Sequence, residues 1–130
     1  MRHGKAIAWE RKLKRVFDEI DAELEKAYGE RFPLHPARAP LGTTSNPESD
    51  GLFNVGASYS AGFGSKFGPG YVVEIHLSTL KHVPRELKHE LRKKVRELIV
   101  KKLPFAFPGK KIHVDRELRH LRIHGDLSLD

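Results

Sequence analysis

Histidines and carboxylates recur at every second position in the later part of this chain: Glu74 and His76, His113 and Asp115, then His120, Arg122 and His124. Imidazole serves both as a metal ligand and as a proton carrier near neutral pH, and a neighbouring carboxylate can orient it. Residues of these types, gathered on one surface, suit metal binding or acid–base chemistry. The spacing of two matters because it puts side chains on one face of a β-strand. Glu74, His76, His113 and His124 are thus the candidates for holding a divalent metal or moving a proton. No HExxH or comparable ligand spacing accompanies them, and the outer face of a half-buried sheet is polar in any case.

A second chemistry is the binding of anions. The chain carries a formal charge of +7, and the excess lies in residues 81–130, where fourteen basic residues face seven acidic ones. Within that stretch Arg85, His89, Arg92, Lys93 and Arg96 fall along one flank of a helix, beside its apolar stripe. Glu90–Lys94 and Glu97–Lys101 are four-residue pairs that neutralise part of the charge. The remainder suits a nucleic acid or a phosphorylated ligand.

The third candidate is a glycine-rich stretch, GFGSKFGPG at residues 62–70, within a region that holds Gly51, Gly56, Gly62, Gly64, Gly68 and Gly70 of the chain's 11 glycines. It is neither a Walker loop nor GxGxxG, since Phe67 follows Lys66 and the glycine spacing differs. It departs from the GxxG clamp of RNA-binding modules, and it joins two strands with no helix N-terminus to hold a phosphate. What it offers is Phe63, Lys66 and Phe67, two aromatics beside a cation, able to stack on bases and touch phosphate. The alternative is that these rings fold back to cap the core. No Gly-x-Ser-x-Gly elbow occurs, and no motif names a reaction.

The elements that must position these residues follow from periodicity. Trp9, Leu13, Val16, Phe17, Ile20, Leu24 and Ala27 line one face of a helix over about 5–28, with Gly29 as its left-handed stop. Its charges run basic first (Arg11, Lys12, Lys14, Arg15) and acidic later (Asp18, Glu19, Asp21, Glu23, Glu25), against the helix dipole, which reads as a salt-bridged solvent face. A proline-rich connection covers 31–50, as a flap or a strap. Alternating segments at 52–77 make a hairpin with a long glycine-rich tip. Leu87, Leu91, Val95, Leu98 and Ile99 mark a second helix over 84–103, opened by Pro84 and ending before Pro104. A second hairpin spans 111–126, with Ile112 opposite Ile123 and Val114 opposite Leu121 around a turn at 116–119. The order α-β-β-α-β-β predicts an α+β two-layer sandwich, two helices on one face of a mainly antiparallel four-stranded sheet.

Composition sets the remaining bounds. At 130 residues the chain reads as a single domain, 1–130. No cysteine is present, which excludes disulfides and thiolate chemistry. No apolar run approaches the roughly 18 residues that span a bilayer, and the N-terminus lacks a signal-like apolar core. The expected location is therefore cytoplasmic, with no membrane partner. The absence of glutamine and the high charge content match a thermophile's protein, or chance in a short chain. The leading expectation is a basic module that binds a nucleic acid or phosphorylated ligand rather than an enzyme. Two alternatives stand beside it: a metal or acid–base enzyme on the polar sheet face, and a homo-oligomeric structural subunit joined through the sheet.

Overall fold

Apolar residues spaced three and four apart must share a helix face, and two such stripes need a common surface to cover. The computed structural model, which describes residues 4–31, 36, 38 and 51–126, supplies it as a four-stranded antiparallel sheet. The elements run α1 (Gly4–Tyr28), β1 (Phe53–Ser60), β2 (Gly70–Leu77), α2 (Arg85–Ala106), β3 (Ile112–Glu117) and β4 (His120–Gly125). The strands lie in the order β1-β2-β4-β3, every neighbour antiparallel. The fold is α+β, with the helices over one face of the sheet. The strap expected at 31–50 lies outside the described residues, apart from residues 31, 36 and 38.

The phase of every strand follows from its alternation. Phe53, Val55, Tyr71, Val73, Val114, Leu121 and Ile123 are buried beneath the helices with Leu13, Val16, Phe17, Ile20, Leu24, Leu91, Val95, Ile99 and Leu103. Trp9 ties the layers together, stacked between Tyr71 and Phe107 with ring centroids 5.3 Å and 4.1 Å away. Glu74, His76, His113, Asp115, Glu117, His120, Arg122 and His124 occupy the alternate positions, on the face turned from the helices.

The expected pairing of the last hairpin is corrected by two residues. Ile112 pairs with Gly125 and Val114 with Ile123, because β3 extends to Glu117 and turns within Leu118-Arg119. The turn is tight enough to hold Leu118 at a φ of 58, a conformation that residues other than glycine rarely adopt. A shift of two leaves every side chain on its expected face. Other local expectations also change. Gly29 has no positive φ, and its lack of a side chain matters instead because a Cβ would collide with the Glu25 carbonyl oxygen. Helix α2 continues through Pro104 to Ala106; Pro104 shares an exposed flank with Val100, where the carbonyl that loses its helix bond is open to solvent and so costs less than it would in the core. Glu90 reaches Arg31 at 3.5 Å, not Lys94.

Part of the acidic half of α1 is the expected salt-bridged solvent face, with Lys14 3.1 Å from Asp18 and Glu19 and Glu23 exposed, but Asp21 and Glu25 turn to the first strand. Asp21, only 1% exposed, accepts the N–H of Val55 at 2.8 Å, and Glu25 accepts that of Leu52 at 3.0 Å. Lys102 of α2 lies 3.4 Å from Glu19 and 3.6 Å from Glu23. The acids thus cap the free edge of β1 and join the helices, which offsets their poor placement in the helix dipole. Asp21→Ala should lower stability by about 2 kcal/mol in urea unfolding, because it strands a buried backbone donor of an edge strand. Asp21→Asn, which keeps an acceptor, should lose less. Equal stability of all three proteins would show that the cap contributes nothing.

Candidate functional site

The face of the sheet turned from the helices is closed by the loop at 61–69, which folds back across it. The closure is built on Arg122, 4% exposed although neither α1 nor α2 covers it. Its guanidinium donates to Glu117 Oε1 at 2.8 Å, to the Gly68 carbonyl at 3.0 Å and to Ser60 Oγ at 3.2 Å. Ser65 Oγ donates to the other oxygen of Glu117 at 2.5 Å. One buried cation thereby holds both ends of the loop, and one carboxylate holds its middle. At Gly62 the fit is close: the residue has a φ of 89, and a Cβ would strike the Gly68 carbonyl. The bonds from Ser65 and then Arg122 hold the Glu117 carboxyl below the usual carboxylate range.

The loop divides the histidines expected on this surface. Phe67 stacks on His124 with centroids 4.7 Å apart, and His113 lies beside the same ring at 5.5 Å. His124 Nε2 sits 2.7 Å from Asp115 Oδ2; the carboxylate can only accept, so this nitrogen carries the proton. The arrangement orients one imidazole and shields its face. Glu74 and His76, 3.4 Å apart and exposed, lie at the far end of β2. His124 pairs with Gly70, so Glu74 and His76 stand four and six residues further along β2, about 13 and 20 Å of strand. Among the described residues no cluster of three or more His, Asp or Glu is placed to hold a metal ion.

The cations gather at the opposite end of the sheet. β2 pairs with β4 only over Gly70–Val73, yet it runs on to Leu77. The unpaired half leaves a cleft of about 510 Å³ between β2, the start of α2 and the β3–β4 turn. Val73, Ile75, Leu77, Val83 and Leu91 provide apolar lining, and Lys81, Lys88, Arg92, Arg119, His76, His82 and His120 the polar part, with no acidic residue among them. Arg92 is lowered from the ordinary arginine pKa by burial first, then by Arg116 and Arg119, and still remains charged. No carboxylate among the described residues lies within ion-pair distance of Lys88, Arg92 or Arg119. Like charges held together without counter-charge suit a site for an anion.

Of the flank expected on α2, only Arg92 enters this cleft. Arg96 donates to the Val114 carbonyl at 2.9 Å, and His89 Nδ1 lies 3.3 Å from an Arg116 nitrogen. Arg85 and Lys93 are exposed and outside the cleft. Lys66, Phe63 and Phe67 lie across the sheet, where they line a second cleft of about 540 Å³ with Arg116, Leu118 and His120. Lys88 was legible in the sequence as the residue one helical turn before Arg92. Arg119 was not, because its position depends on the register of the final hairpin.

The Glu117 latch gives a pH dependence of definite sign. A carboxyl held below its ordinary pKa stabilises the folded loop fully above about pH 4.3, and the contribution fades as pH falls through the lowered value. Hydrogen exchange in residues 62–68, corrected for intrinsic rates, should therefore quicken on acidification while β4 stays protected. In Glu117→Gln the loop should already exchange faster at neutral pH. Loop protection that is the same at acid and neutral pH, and unchanged by the substitution, would contradict the latch.

No helix among the described residues is long and apolar enough to cross a membrane. No solved structure matches the chain. A protein of Borreliella burgdorferi described as "Uncharacterized protein" is 32% identical over 114 residues, which covers 88% of this chain and 89% of that one. A family model described as "Uncharacterised protein" matches residues 4–125, and the chain belongs to that family.

Proposed function

We propose that this protein binds a phosphate-bearing partner in the cleft between β2, α2 and the β3–β4 turn. The observation that carries the reading is the lining itself. Lys88, Arg92 and Arg119 converge there with no carboxylate partner among the described residues, over an apolar lining of Val73, Ile75, Leu77 and Leu91. Partial burial, and then the neighbouring Arg116 and Arg119, disfavour the charge of Arg92 in the free protein and lower its pKa. A phosphate group would relieve the repulsion, and charge-assisted bonds to guanidinium are among the stronger polar contacts. The apolar lining accepts the organic body that carries the phosphate. Nucleic acids and phosphorylated small ligands share this chemistry. The ordered pair His124–Asp115, covered by Phe67 at the other end of the sheet, is not needed for it.

The test is retention on heparin in a rising salt gradient. The double variant Arg92→Gln/Arg119→Gln should elute at clearly lower salt than the wild-type protein, since each lost phosphate contact also removes its share of the salt dependence. Its stability should be unchanged or raised by up to about 1 kcal/mol, because the substitutions relieve repulsion and remove no ion pair. An elution position equal to that of wild type would reject the cleft as the anion site.

A further inference from the structure

We infer that the phosphate-bearing partner is a single-stranded nucleic acid, which passes from the basic cleft over the β3–β4 turn into the cleft beneath the glycine-rich loop. The inference rests on the anion-binding reading of the first cleft and adds the class of ligand. Its starting point is that the two clefts are contiguous: His120 lines both, the turn between them contributes Arg119 to one and Leu118 to the other, and the end of β3 adds Arg116 and Glu117 to the second. Cations continue along this route, from Lys88 and Arg92 through Arg119 and Arg116 to Lys66.

The second cleft differs from the first in what it exposes. Phe63 is 96% exposed and Leu118 is 81% exposed, and both border it. Phe63 is not displayed because its loop is slack. Its neighbour Ser65 is bonded to Glu117, Phe67 is stacked on His124, and Gly62 and Gly68 meet at the base of the loop. Leu118 likewise sits at a positive φ, a backbone conformation that costs energy for a residue with a side chain, and such conformations cluster at functional sites. An aromatic ring and an aliphatic side chain presented on ordered backbone beside cations form a surface on which an unpaired base can stack.

The geometry selects against a duplex. The ridge between the clefts is a single two-residue turn, whereas double-stranded DNA keeps its direction over about 150 base pairs. A duplex could touch one cleft but not follow the route into the other, and its stacked bases are closed to Phe63. A single strand can bend at each nucleotide and turn its bases outward. A small phosphorylated ligand would fill the first cleft and leave Phe63 and Leu118 without a role.

The experiment is fluorescence anisotropy with a labelled ten-nucleotide oligouridine and a labelled duplex of the same length, at low salt, on the wild-type chain, Phe63→Ala and Arg92→Gln/Arg119→Gln. The wild type should bind the single strand at least ten-fold more tightly than the duplex. Phe63→Ala should lose roughly ten-fold of the single-strand affinity, the usual loss for one stacked base, and keep its elution from heparin. With its side chain in water, Phe63 has no part in folding, so the variant reports on binding alone. Equal or tighter duplex binding, or single-strand affinity unaltered in Phe63→Ala, would overturn the inference. If neither oligonucleotide binds while heparin retention still depends on Arg92 and Arg119, the strand route fails and the basic cleft stands. If the double variant changes nothing on heparin, both readings fall.

Discussion

Arg122 is buried on the side of the sheet turned from α1 and α2, and the shape of that side depends on its satisfaction. A guanidinium withdrawn from water needs a counter-charge and acceptors for its fork of donors. Glu117 supplies the first from the neighbouring strand; Gly68 and Ser60, at the two ends of the loop, supply the second. The loop cannot lift away without taking the Gly68 carbonyl from the guanidinium and opening its ion pair with Glu117 to water. Its glycines follow from the same requirement, since the backbone must turn sharply and lie close to itself at Gly62 and Gly68.

This one constraint sorts the polar side chains into separate neighbourhoods. His124 stacks on Phe67 with His113 beside it, while Glu74 and His76 remain in solvent at the far end of β2. A surface that could have gathered histidines into one site is thereby partitioned. What lies beyond the loop is the β3–β4 turn, with a cleft on each side of it. The electrostatics agree with the partition: acids are consumed within the fold, by the edge of β1, by Lys102 and by Arg122, whereas cations near the turn are left to one another.

The first helix carries the same division of labour. Its basic and acidic halves run against its dipole, an arrangement that local rules disfavour. Asp21 and Glu25 are placed where the first strand has donors facing away from its neighbour, so a cost on the helix is exchanged for closure of part of a sheet edge. Such a trade shows only when the strand is seen beside the helix.

Alternation of apolar and polar residues determined a great deal without coordinates. The order of elements, the two-layer α+β architecture and the face on which each strand side chain lies are local or periodic properties, and period two survives even a register shifted by two, as at Val114 and Ile123. The tertiary structure alone decided which polar residues meet. Ser65 and Glu117 are 52 positions apart, and Arg122 and Ser60 are 62 apart. No periodicity relates such residues; only the return of the loop over the sheet does. For the same reason Arg92 could be assigned to a basic flank from spacing, but its crowding by Arg116 and Arg119 depended on where the last hairpin turns.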